Sequence, residues 1–185
     1  MRHIMLAGLV ALTLGMPAAA QTPVTVDRFD EIALEGGGSV VVRQGDRQQV
    51  NLIRGSTEMT EFRVRDGRLT IDACRRSCSD YELEVEIVVP RVTALSIEGG
   101  GSIRADGGFG DPGALAASIQ GGGLIDLRQI AASNVTASVN GGGMIRAHAR
   151  NALTASVNGG GMITYRGDPA VTSAINGGGL VRRGG

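Results

Sequence analysis

Apolar and polar residues alternate along the second half of the chain with the period of two that is typical of β-strands. An aliphatic residue stands two positions before each of six glycine triplets: Leu34, Ile97, Ile119, Val139, Val157 and Ile175. Another stands four positions after the first glycine of each triplet: Val40, Ile103, Ile125, Ile145, Ile163 and Val181. Because these two columns are six residues apart, an unbroken strand would turn both to one face. The pattern predicts strands and very little helix.

The glycine triplets mark an internal repeat. The last five begin at Gly99, Gly121, Gly141, Gly159 and Gly177, so they are spaced 22, 20, 18 and 18 residues apart. This period is too short for a strand-helix-strand unit of about 30 residues, and it fits one turn of a solenoid. We predict an all-β fold, a single-domain, right-handed β-solenoid (β-helix-like) with stacked glycine-rich repeats. The alternative is an antiparallel β-meander or sandwich, because Asn-Gly at 140, 158 and 176 is also a hairpin signal.

Stacked repeats would place equivalent residues in neighbouring strands. Asn140, Asn158 and Asn176 would then form an amide ladder on the polar face, with a spacing of about 4.8 Å. The first and third glycines of each triplet would point inward, where they let opposing backbone approach closely or allow a bend.

The regular repeats cover about residues 93–183, and residues 24–92 are less regular but still β in character. Phe62–Val64 and Leu69–Ile71, separated by Asp66 and Gly67, predict a hairpin. A strictly alternating strand runs from Glu82 to Ile87, and Pro90 ends it.

The first twenty residues have the layout of a signal peptide. Arg2 is followed by an apolar run from Ile4 to Met16 and by three alanines before Gln21. We therefore expect a signal peptide at 1–20 and one domain at 21–185, with no transmembrane segment in the mature chain. Export to the periplasm is expected, with the cell surface or the extracellular space as alternatives.

Export bears on the two cysteines, because an oxidising compartment favours a disulfide. Cys74 and Cys78 are predicted to pair, since a metal site would need two further ligands and none is visible nearby.

The sequence offers little for catalysis. No Lys-Ser/Thr follows a glycine triplet as a phosphate loop needs, and only Asp126 follows one at an offset that would suit calcium. His148 is the one histidine beyond residue 20, which leaves a serine nucleophile without support. We predict no catalytic, metal or cofactor site. With 18 basic and 18 acidic residues the net charge is zero, which argues against a nucleic-acid partner.

One exposed column carries positive charge. Arg104, Arg146 and Arg182 stand five residues after the first glycine of their triplets, with Asp126 and Thr164 at the same position in the repeats between. Stacking would align them as an outer ridge, and arginine forks suit the carboxylates and phosphates of envelope glycans or lipid headgroups. The interpretation that we favour is simpler: these arginines solvate the sheet and discourage unwanted strand pairing.

The order of short motifs resembles a known family. Ser39–Val42, Gln44-Gly45 and Val50–Leu52 are followed by Asp66–Ile71, by a strand that ends at Val88–Pro90, and by Leu95–Gly99, which opens the repeats. This succession, over about residues 24–183, resembles the auto-transporter adhesin head family, known as the head GIN domain. The resemblance implies a β-helix-like fold in cell-envelope proteins without known catalysis.

Two functions follow. We favour a non-catalytic, exported, adhesin-like module of the cell envelope that presents a repetitive β-surface to a glycan, a lipid or a protein, and homo-oligomerisation is left open. The alternative is a carbohydrate-active enzyme that acts on acidic envelope glycans through a carboxylate site on the solenoid flank.

Overall fold

The protein is represented by a computed structural model that describes residues 21–74 and 81–184. Within these ranges the regular secondary structure consists of β-strands alone, so the all-β prediction is confirmed. Residues 1–20 and Cys78 lie outside the described residues, and the signal peptide and the Cys74–Cys78 disulfide therefore stay predictions.

Fifteen strands form one mixed sheet. The first seven are β1 (Thr22–Pro23), β2 (Glu31–Gly36), β3 (Ser39–Gln44), β4 (Gln49–Arg54), β5 (Glu61–Arg65), β6 (Arg68–Asp72) and β7 (Glu84–Val89). The others are β8 (Ala94–Gly99), β9 (Ser102–Asp106), β10 (Ala114–Gly121), β11 (Leu124–Gly141), β12 (Met144–Asn158), β13 (Met162–Arg166), β14 (Ala170–Asn176) and β15 (Leu180–Arg183).

The sheet consists of two ladders that meet at the glycine triplets. The pre-glycine ladder runs in the order β5-β6-β2-β8-β10-β11-β12-β14. The post-glycine ladder runs in the order β1-β4-β7-β3-β9-β11-β12-β13-β15. The long strands β11 and β12 belong to both, because their first halves follow one triplet and their second halves precede the next.

We call one pre-glycine strand, its triplet and the following post-glycine strand a rung. All six rungs pair in parallel with their neighbours, one repeat apart. Val139 pairs with Ile119 on one side and with Val157 on the other, and Val157 pairs with Ile175. The predicted alignment of Val139, Val157 and Ile175 is thus confirmed, and Val139 does not pair with Ile145 across the Asn-Gly sequence.

The apolar columns form the core. Leu34, Ile97, Ile119, Val139 and Val157 are buried on the pre-glycine ladder, and Val40, Ile103, Ile125, Ile145 and Ile163 are buried on the post-glycine ladder. Asn140, Asn158 and Asn176 are exposed on the opposite face and stand in register. This register is the one that the predicted amide ladder requires, while the amide-to-amide bonds themselves stay a prediction.

The irregular part of the chain closes one end of this core. β6 and β7 form a further parallel rung beside β2 and β3. The next layer runs in the opposite direction: β4 leads into β5, and both pair antiparallel, β4 with β7 and β5 with β6. The predicted hairpin is confirmed as β5–β6, and its Asp66 (φ 50°) and Gly67 (φ 77°) have the positive φ values of a type I′ turn.

The triplets are corners rather than positions within an unbroken strand. β12 ends just before Gly159, and β13 begins just after Gly161. Gly159 is exposed, has φ +111° and lies against the carbonyl oxygen of Gly141 in the preceding rung. The prediction that the first glycine points inward is therefore wrong for Gly159, whereas the bend and the close approach of opposing backbone that it allowed for are both present. The third glycine is buried in the repeats at Gly123, Gly143 and Gly161, as predicted.

Candidate functional site

The arginine column lies on the outer face of the post-glycine ladder. Arg104 pairs with Asp126, Asp126 with Arg146, Arg146 with Thr164, and Thr164 with Arg182. Side chains alternate between the two faces of a strand. Because Ile103 and Ala105 are buried, Arg104 between them points to the outer face. The structure therefore brings the three predicted arginines onto one column of adjacent strands.

Asp126 divides this column, because its carboxylate is almost completely buried among arginines. Its side chain is only 8% exposed. The guanidinium of Arg128 donates to both carboxylate oxygens, with Nη2 2.6 Å from Oδ2 and Nε 2.9 Å from Oδ1. Arg146 Nη1 lies 3.5 Å from Oδ2, and the backbone N–H of Arg128 donates to Oδ1 at 3.2 Å.

These contacts keep Asp126 ionised. Burial by itself would raise the pKa of Asp126, but the hydrogen bonds from Arg128 and the charges of Arg128 and Arg146 outweigh it and lower the pKa. In return, the hydrogen bond to Asp126 and its negative charge raise the pKa of Arg128. The carboxylate therefore holds two arginines in place and offsets part of their charge at neutral pH.

The two ends of the column differ in charge compensation. At one end, Arg43 and Arg104 both approach Asp106, with Arg43 Nη1 2.9 Å and Arg104 Nη2 3.8 Å from Oδ2. At the other end, Arg146 and Arg182 flank Thr164, which has no charge. Arg146 still shares the carboxylate of Asp126 with Arg128, so two arginines there face one acidic group, and Arg182 adds a further positive charge beyond Thr164.

A shallow groove opens at this end of the outer face. Four arginines from four strands line it: Arg128, Arg146, Arg166 and Arg182. We call these four residues the arginine groove. Thr164, Tyr165, Met144 and Met162 are also part of its wall. None of the described residues that line it is acidic.

Two members of the groove were missed in the sequence. Arg128 and Arg166 stand seven residues after the first glycine of their triplets, where other repeats carry Arg43, Asp106 and His148. This mixed column gave a weaker signal than the arginines at position five. Arg128 also lies within a bulge, since the pairing of β11 with β12 shifts between Asp126 and Ala131.

The other predicted site residues lie elsewhere. Asn140, Asn158 and Asn176 are on the pre-glycine ladder, so they do not contribute to the groove. Cys74 lies at the corner between β6 and β7, where its backbone N–H donates to Asp72 Oδ1 at 3.1 Å.

The groove is suited to binding anions. Guanidinium groups donate paired hydrogen bonds to carboxylates and phosphates, as Arg128 does here to Asp126. Within residues 21–74 and 81–184, Asp111 and Asp126 have a lowered pKa, which does not suit acid catalysis. Hydrogen bonds from Ser133 and Gly113 lower the pKa of Asp111, as the arginines lower that of Asp126, whereas a general acid needs a raised pKa.

The described residues contain neither a candidate metal cluster nor a candidate membrane-spanning helix. Across 21–74 and 81–184, there is no group of three or more His, Cys, Asp or Glu side chains that could hold a metal ion. The same part of the chain contains no helix of the length and apolarity needed to span a bilayer.

Solved structures with a similar chain path come from several bacteria. A "putative adhesin" of Bacteroides fragilis is 17% identical, with a TM-score of 0.47, over 89% of this chain and 96% of the other. A "putative adhesin" of Parabacteroides merdae is 17% identical, with a TM-score of 0.42, over 90% and 96%. A "putative lipid binding protein" of Parabacteroides distasonis is 16% identical, with a TM-score of 0.38, over 90% and 96%.

Sequence comparison identifies the family. No curated protein matches the chain. Residues 28–111 and 108–169 match the family described as "Putative auto-transporter adhesin, head GIN domain". These two matches cover most of the chain, including the rungs that carry Arg104, Arg128, Arg146 and Arg166. The chain therefore belongs to the head GIN domain family.

Proposed function

We propose that this protein is a non-catalytic, exported interaction module of the cell envelope, and that the arginine groove binds the anionic groups of an envelope glycan or lipid. Family membership supports an adhesin-like role and a place in the envelope. We further propose that residues 21–185 form one domain, in which the rungs continue as a right-handed solenoid. The parallel, one-repeat register supports this arrangement.

The observation that carries the proposal is the convergence of four arginines on one surface, of which Arg128 and Arg146 share the single buried carboxylate of Asp126. Each exposed arginine binds an anion weakly in water. Several on one rigid surface can act together, because a polymer or a membrane offers many charges at once. Arg146 and Arg182 are two rungs apart, or about 10 Å. That is close to the screening length at physiological salt, so their fields overlap.

The carbohydrate-active enzyme is less well supported. Glycoside cleavage needs one carboxyl group that holds its proton near neutral pH. Asp111 and Asp126 are shifted in the other direction. Two outward carboxylates in or just before β7 also have partners, since Glu82 pairs with Arg54 and Glu86 pairs with Arg43.

The proposal is tested by replacing the three arginines of the predicted column, two of which, Arg146 and Arg182, also line the groove. A triple variant with Arg104→Gln, Arg146→Gln and Arg182→Gln should bind polygalacturonate or phosphatidylglycerol vesicles at least about 10-fold more weakly at low salt. The free energy of unfolding should change by no more than about 0.5 kcal/mol per site, because these are surface positions. Sedimentation with vesicles and titration calorimetry with the polymer would measure the binding.

The matched control is a triple variant with the same change in net charge away from the groove. Arg28, Arg47 and Arg65 are exposed and do not line it, so their replacement by Gln should leave binding within about 2-fold. Asp126→Asn should strengthen binding, because it removes the negative charge beside Arg128 and Arg146. Failure of the wild type to bind either probe, or an equal loss in the control triple, would contradict the proposal.

A further inference from the structure

The last rung, β14 and β15, leaves apolar residues of the core columns exposed. Val171 is 41% exposed and Ile175 is 42% exposed, whereas their partners in the preceding rung, Leu153 and Val157, are 1% and 0% exposed. Among the described strands, β14 pairs only with β12, and β15 pairs only with β13. Both a row of backbone hydrogen-bonding groups and the end of the apolar core are therefore open here.

The opposite end of the molecule shows how this fold closes such an end. There the chain turns back and lays a reversed layer, β4 followed by β5, on the rung formed by β6 and β7. Leu52 then stands opposite Val85, and Phe62 stands opposite Ile71. Because this layer runs in the opposite chain direction, it pairs antiparallel with both ladders and covers both apolar columns.

We propose that a second copy of this chain supplies the same kind of reversed layer for the last rung, so that two molecules join end to end about a two-fold axis through Gly178. The rung is symmetric enough for this, since Ile175 stands three residues before Gly178 and Val181 three residues after it. Rotation about the axis lays β14 of one copy antiparallel on β15 of the other. It brings Ile175 opposite Val181 of the second copy. The apolar column of the pre-glycine ladder in each copy then continues into that of the post-glycine ladder in the other.

The backbone groups of β14 are directed for this pairing. The carbonyl of Asn176 accepts a hydrogen bond from the N–H of Gly159, so Asn176 turns its backbone groups toward the molecule's own sheet. In a parallel strand, alternate residues turn theirs to opposite sides. Ser173 and Ile175 therefore direct their N–H and C=O groups to the open edge, where an antiparallel strand can bond them.

The test is the mass of the purified protein in solution and its response to changes at this edge. We expect sedimentation to give twice the chain mass at micromolar concentration. Ser173→Pro should raise the dimer dissociation constant at least 10-fold, since proline removes an outward N–H and leaves the bonds to β12 in place. Ile175→Lys should do the same through the buried contact. Thr172→Ala, on the outer face of the same strand, should leave the dissociation constant within 2-fold.

Amide hydrogen exchange provides a readout that does not depend on a variant folding. The N–H groups of Ser173 and Ile175 should exchange more slowly as the protein concentration rises, whereas that of Asn176 should not change. A monomer at high concentration, an open-ended polymer, or a dimer that Ser173→Pro and Ile175→Lys leave intact would each overturn the proposal.

Discussion

Replacing Gly161 by Val is expected to lower the free energy of unfolding by about 3 kcal/mol, because the third glycine of a triplet is buried against the preceding rung. A Cβ at Gly161 would lie 2.8 Å from the carbonyl oxygen of Gly143 and would overlap Cγ1 of Val139. Neither neighbour is free to move, since Gly143 O belongs to the backbone of the preceding corner and Val139 is a buried core residue.

Substitutions at the two neighbouring glycines distinguish steric overlap from backbone strain as the cause of the loss in stability. Gly159→Val should cost a similar amount for a different reason: its φ of +111° strains any residue with a Cβ, and that Cβ would lie 2.7 Å from the Gly141 oxygen. Gly160→Ala should change stability by no more than about 1 kcal/mol, because nothing lies within 4 Å of a Cβ there. Urea denaturation followed by circular dichroism measures all three. Equal tolerance at the three positions would show that the corner is wrongly described.

A second large effect is expected in the post-glycine column of the core. Ile145 is fully buried between Ile125 and Ile163 of the adjacent strands. Ile145→Ala should lower the free energy of unfolding by about 2–5 kcal/mol, because it leaves a cavity between two rungs.

The matched control is the same substitution on the other face of the sheet. Ile53 follows the buried Leu52 in β4, at the point where the pairing with β7 shifts, and it is only half-buried. Ile53→Ala should therefore cost about 1 kcal/mol or less. Urea midpoints compared at constant slope give both values. A loss at Ile53 as large as that at Ile145 would mean that the buried and outer faces have been exchanged.

The repeat made much of the register predictable. Equivalent residues such as Val139 and Val157 recur at fixed positions, and only stacking one repeat apart keeps them together on a buried face. The β5–β6 hairpin was predictable because Asp66 and Gly67 are turn residues with a specific backbone requirement.

Other features left no local signal. Alternation within β4 and β5 predicts strands but not their direction, so the reversed layer over β6 and β7 could not be inferred from the sequence. The orientation of Gly159 was predicted wrongly because the face assignment assumed an unbroken strand, whereas the positive φ turns the chain there.

The candidate site was predictable only in part. Arg104, Arg146 and Arg182 share one repeat position, and the structure does align them. Their environment depends on Arg128, which a bulge in β11 brings onto the carboxylate of Asp126. A bulge is set by the packing of neighbouring strands, and the spacing of the triplets does not reveal it.

The account depends most on parallel rungs one repeat apart, and an engineered disulfide tests this register directly. Ser138 and Ser156 are paired on adjacent strands of the outer face, at a Cα separation of about 4.8 Å that suits a disulfide. The double variant Ser138→Cys and Ser156→Cys should oxidise within one chain, as seen by mass spectrometry of the linked tryptic peptides. The pair Ser138→Cys and Arg146→Cys, which a hairpin centred on Gly142 would place opposite each other, should not link. Formation of the second disulfide in place of the first would contradict the parallel stack.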